Sequence, residues 1–100
     1  MNNQIKLLEK RINPDIFCSK NQINYLGVFG SFAREENKSG SDIDFLVGFD
    51  EIKSLFEMAK IKLDLEKILG EEVDLTLKDN IKPEISPYVL RDLITLYEKR

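Results

Sequence analysis

The chain has 100 residues, 42% hydrophobic and 33% charged, with a formal net charge of −3 at neutral pH. That length suits one compact domain over residues 1–100. The interspersed charges build no basic field for autonomous nucleic-acid binding, and no charge-free stretch is long enough to cross a bilayer. A single cysteine, Cys18, rules out an internal disulfide, and the absence of histidine removes the commonest general base, so any chemistry must run on carboxylates.

The opening segment Met1–Lys6 lacks a basic region leading into an apolar core, which makes the cytoplasm the expected location. Ile5, Leu8 and Ile12 recur at helical spacing and predict a helix over Asn3–Ile12, interrupted by Asn13-Pro14 because proline disfavours a helical residue before it. A short helical turn is expected at Ile16–Cys18, a loop at Ser19–Gln22 and a first strand at Ile23–Phe29. Phe32–Glu36 begins another short helix, which the polar run 37–41 ends; a second strand then covers Asp42–Phe49.

Ser54-Leu55-Phe56-Glu57 matches a capping box, and Gly70 suits a left-handed terminus, which bounds a long helix between Ser54 and Leu69. Its apolar positions Leu55, Phe56, Met58, Ala59, Ile61, Leu63, Leu65, Ile68 and Leu69 form a broad stripe expected to cover a sheet. Val73–Leu77 alternates as a third strand and Lys78–Asn80 reads as a turn. Ser86-Pro87 opens a last helix, with serine as cap, that carries Val89, Leu90, Leu93, Ile94 and Tyr97 toward the end of the chain. The expected fold is a mixed α/β domain, a short mixed sheet with helices packed on one side.

Three carboxylates lie close to these strands. Asp42 and Asp44, separated by one residue on a strand, share a face because side chains alternate with period two. Two aspartates on one face repel unless a cation lies between them, and hard oxygen ligands select Mg²⁺ or Mn²⁺. Asp74 takes the face of the third strand opposite Val73, Leu75 and Leu77 and is a candidate third ligand and general base. Gly30-Ser31, closing the first strand, forms a turn whose backbone a phosphate can approach closely, with the Ser31 hydroxyl as a further donor. Together these features suggest metal-assisted phosphoryl or nucleotidyl transfer. Cys18, with no histidine to activate it, is assigned no role.

Gly30-Ser31-Phe32-Ala33-Arg34, Ser41-Asp42-Ile43-Asp44-Phe45-Leu46-Val47 and Val73-Asp74-Leu75 resemble the minimal nucleotidyltransferases of the DNA polymerase beta superfamily, over nearly the whole chain. The resemblance implies a two-metal nucleotidyltransferase that takes a nucleoside triphosphate, usually ATP, with Gly30, Ser31 and Arg34 on the phosphates. It implies Asp42, Asp44 and Asp74 as the ligands of two Mg²⁺ ions, with Mn²⁺ as a substitute, and Asp74 also as base. Many relatives are antitoxins that transfer AMP to a tyrosine of a partner ribonuclease toxin of the higher eukaryotes and prokaryotes nucleotide-binding (HEPN) class, which makes a hetero-oligomer the expected assembly. Two alternatives are a non-catalytic antitoxin that masks its toxin by contact, and a nucleotidyltransferase acting on a small molecule. Relatives commonly carry glycine where this chain has Glu35; a backbone needing positive φ there strains glutamate by about 1–3 kcal/mol.

Overall fold

The computed structural model describes residues 3–36 and 41–99. The polar loop expected at 37–41 therefore lies outside the described residues except for Ser41. Helix α1 (Asn3–Ile12) buries Ile5, Leu8 and Ile12, the three positions that its spacing singles out. Asn13 adopts positive φ, and α2 (Pro14–Lys20) follows with proline in its first turn, longer than the single turn expected and running into the first half of the expected loop.

Strands β1 (Ile23–Phe29) and β2 (Ile43–Phe49) pair antiparallel, with Phe29 opposite Asp44. Between them α3 (Gly30–Ala33) occupies one turn. Strand β2 starts at Ile43, so Asp42 lies immediately before the strand rather than in it. Strand β3 (Val73–Leu77) lies parallel to β2 in a register that sets Asp44 beside Asp74. The connecting helix α4 (Leu55–Leu69) has both halves of the Ser54/Glu57 capping box and ends at Gly70, at φ 69°. A 3₁₀ turn (Lys78–Asn80) leads toward α5 (Ser86–Asp92).

The structure corrects the last segment. Leu93 breaks the helix, and Ile94–Glu98 is a strand, β4, antiparallel to β1, giving the sheet order β3-β2-β1-β4. Ile94 and Leu96 alternate as well as Leu93, Ile94 and Tyr97 repeat helically, so periodicity alone fits both states. The free edge of β1 decides, because its backbone donors and acceptors gain partners from β4. Ser86 also does not cap: α5 starts one residue earlier than a serine cap requires, with Ile85 at the N-cap, and Pro87 takes the first turn.

The main core lies on one face of the sheet, where Leu26, Val28, Phe45, Val47 and Val73 meet α1, α2 and α4. From α4 only Ile61, Leu65 and Leu69 are buried; Leu55 and Phe56 are 88% and 89% exposed, contrary to the broad buried stripe expected. The helices are not confined to one side either. Val89 of α5 packs with Tyr25 and Leu46 on the opposite face, the one that carries Asp44. Phe45 is fully buried, and Phe45→Ala is expected to destabilise the protein by about 3–5 kcal/mol in urea denaturation, the range for an aromatic cavity.

Candidate active site

The β1–β2 register places the end of β1 against the start of β2, so the chain leaves Phe29 directly beside Asp44. Gly30 turns there at φ 76°, and a Cβ at that position would stand 2.5 Å from Asp44 Oδ2. Both the left-handed backbone and the contact exclude a side chain. The next amides open α3, whose first N–H groups have no intrahelical acceptor. Ser31 is half-buried at this turn.

The end of α3 is a Schellman motif. The amide of Glu35 donates to the Phe32 carbonyl at 3.1 Å and that of Glu36 to the Ser31 carbonyl at 2.8 Å, with Glu35 in the left-handed region at φ 61°. The positive φ expected for a glycine position is therefore present with glutamate in it. Such a conformation costs a residue with a Cβ about 1–2 kcal/mol.

Asp44 is half-buried, whereas Asp42 and Asp74 are exposed. Burial first, then the charges of Asp74 and Asp42, push the Asp44 carboxyl above the ordinary carboxylate range, while Arg34 opposes the shift. Asp42 and Asp74 thus both act on Asp44, although among the described residues no three carboxylates or thiols are gathered closely enough to hold a cation unaided. Arg34 itself donates from Nε to Glu36 Oε2 at 2.9 Å and from Nη1 to Asp92 Oδ2 at 2.6 Å. Burial pushes the Cys18 thiol up to about 12, with Asp15 adding to the shift, so the thiolate nucleophile is suppressed.

A polymerase beta nucleotidyltransferase family model matches residues 12–100. The chain belongs to that family. It is 37% identical over 90 residues to a Methanocaldococcus jannaschii chain assigned as a protein adenylyltransferase, covering 90% of this chain and 95% of that one. It is 43% identical over 72 residues to the protein adenylyltransferase MntA of Thermococcus cleftensis, covering 72% and 73%. A solved structure assigned as a minimal nucleotidyltransferase superposes with a TM-score of 0.76 at 34% identity, over 93% of this chain and 95% of the other. The fold is also that of a toxin–antitoxin complex solved with AMP-PNP, with a TM-score of 0.72 at 19% identity over 99% of this chain and 76% of that one.

In this nucleotidyltransferase, Asp44 and Asp74 line a cleft of about 270 Å³ with Phe29, Thr76, Asn80, Ile81, Lys82, Ile85 and Val89. Thr76 was legible from the period-two face that begins at Asp74. Lys82 and Ile85 were not, because only the return of the chain over the sheet brings them to the cleft. The donor set fits a hard divalent cation: two aspartates stand in register on neighbouring strands and one of them is desolvated under like charge.

Two outcomes follow. Gly30→Ala is expected to destabilise the fold by about 1–3 kcal/mol in urea denaturation, because alanine must adopt positive φ and displace the Asp44 carboxylate. For Asp44 the folded pKa is raised, so wild-type stability is greatest below the ordinary aspartate value and declines as pH rises through the folded one. Asp44→Asn should therefore melt above wild type at pH 7 in EDTA, with the gap closing below about pH 4. Paired thermal melts at the two pH values check this, and a gap unchanged in acid would trace to packing instead.

Proposed function

We propose that the protein is a Mg²⁺-dependent protein adenylyltransferase that transfers AMP from ATP to a tyrosine hydroxyl of a HEPN-class ribonuclease toxin, and so acts as the antitoxin of that pair. The observation that carries this reading is the abutment of the Gly30 turn on Asp44, itself in register with Asp74. A turn with backbone amides unshielded by a side chain and a paired-carboxylate site are thereby adjacent. The adenylyltransferase relatives and the fold shared with a toxin–antitoxin complex support the choice of acceptor.

In this reading Gly30 and Ser31 receive the phosphates through backbone amides and the Ser31 hydroxyl, and Arg34 offsets their charge. Asp42, Asp44 and Asp74 would hold two Mg²⁺ ions, replaceable by Mn²⁺. Magnesium sites usually combine one or two carboxylates with substrate phosphate oxygens, so the nucleotide would complete a site that the three acids do not enclose alone. When bound, the ions would neutralise charge on the attacking and leaving oxygens. Asp74, exposed on the cleft wall, takes the proton of the incoming hydroxyl. The hydroxyl oxygen then bonds to the α-phosphorus as the bond to pyrophosphate breaks.

A masking antitoxin is the second reading, favoured by the exposed apolar side chains of Ile52, Leu55 and Phe56, which offer a contact surface independent of catalysis. The two differ in what survives separation. A HEPN-class toxin incubated with this protein and Mg-ATP, separated under denaturing conditions and refolded, should carry added AMP mass and lack ribonuclease activity. An unmodified toxin that regains full activity would overturn the adenylyltransferase reading and establish masking.

A further inference from the structure

Arg34 stands one turn beyond Gly30, its amide bonded to the Gly30 carbonyl at 3.1 Å, so the two lie on the same side of α3. Its charge reaches Asp44, where it opposes the repulsion from the neighbouring acids. The guanidinium is held by two carboxylates of different character: the Glu36 side chain is 64% exposed and that of Asp92 only 9%. Glu36 is solvated and free to give way to an incoming anion, whereas Asp92 is a fixed anchor. Asp92 Oδ1 also accepts from Arg91 Nε at 3.4 Å, which leaves Oδ2 to Arg34.

Asp92 is the last residue of α5, and Val89 of the same helix forms a wall of the cleft that contains Asp44 and Asp74. The Arg34–Asp92 pair therefore joins the helix at the phosphate turn to the helix over the cleft. We propose that Asp92 is a positioning residue for nucleotide binding: by holding Nη1 of Arg34 it fixes the guanidinium beside the Asp44 site and locks α5 to α3. This rests on the nucleotide-binding reading of the site given above.

The physical reason is preorganisation. A free arginine side chain loses rotamer freedom each time it clamps a phosphate, and a partly shielded carboxylate that already restrains it removes much of that loss from the binding step. The opposing effect is that Asp92 neutralises part of the arginine charge. The solvated Glu36 carries the exchangeable share of that neutralisation, so restraint outweighs competition and removal of Asp92 weakens binding rather than strengthening it.

Affinity for a Mg-bound non-hydrolysable ATP analogue, measured by calorimetry, tests this together with KM and kcat for adenylyl transfer. Asp92→Ala should bind about tenfold more weakly and raise KM by the same factor, with kcat within roughly twofold of wild type, as expected for a lost charge-assisted hydrogen bond that orients a binding group. Asp92→Asn, which keeps an oxygen acceptor, should fall between. The double variant Arg34→Ala/Asp92→Ala should bind no more weakly than Arg34→Ala alone, and Glu36→Ala, which removes only the exchangeable competitor, should bind at least as tightly as wild type. Thermal melts verify that each variant is folded. A lowered melting temperature with unchanged affinity, tighter binding by Asp92→Ala, or additive losses in the double variant would overturn the proposal. A wild type that binds the nucleotide but modifies no toxin would sink the adenylyltransferase reading alone, with the affinities still deciding the role of Asp92; a wild type that binds no nucleotide would sink both.

Discussion

The pairing of Phe29 with Asp44 across β1 and β2 is the constraint on which the site depends. Side chains alternate along a strand, so a slip of one residue would turn Asp44 into the core beside Val28 and carry Phe45 to the opposite face of the sheet. Phe45 and Val47 are fully buried against α1, α2 and α4, and their burial holds the register against that slip. With the register set, β1 must end where Asp44 begins its approach, and the chain can turn away only through a residue without a Cβ. Gly30 meets that requirement, at positive φ and with no room for a side chain.

The same geometry concentrates unfavourable terms. Asp44 is desolvated and faces the charges of Asp74 and Asp42, and Glu35 occupies a left-handed position at the end of α3. Neither arrangement helps folding. Natural proteins retain such costs where a site needs them and offset them elsewhere, here in a core built from three helices against three strands. A divalent cation with nucleotide phosphates would convert the repulsion among the acids into attraction, so ligand binding and stability are expected to rise together.

The opposite faces of the sheet have different tasks. One is covered by α1, α2 and α4 and carries most of the burial. The other holds the acids, with α5 resting on it through Val89, Tyr25 and Leu46. The smaller cluster holds α5 by apolar contact, and the Arg34–Asp92 pair adds a directional tie from α5 to α3. Structure and chemistry meet at that tie, because the cation that tempers Asp44 is also the link between the two helices.

Local chemistry sufficed wherever one segment decided its own state. The Ser54/Glu57 capping box, the Gly70 terminus, the stripe of α1, the apolar runs of β1 and β2 and the alternation of β3 are all readable residue by residue, as are the Gly30-Ser31 turn and the three aspartates near it. Glu35 was legible as a strained position through family likeness, and the backbone has positive φ there. Segments whose state depends on distant partners were not legible. Ile94–Glu98 carries both helical and alternating periodicity, and the open edge of β1 selects the strand. Leu55 and Phe56 belong to an apolar stripe but stay exposed, because no other element among the described residues covers them. Asp92 lies 58 residues from Arg34 along the chain, and Lys82 and Ile85 reach the cleft only because the chain returns over the sheet after β3. Hydrogen bonding within a turn or along a strand face is encoded by neighbours in sequence; which edge is filled, which apolar residue is covered and which acid meets which base depend on contacts that exist only once the chain has closed on itself.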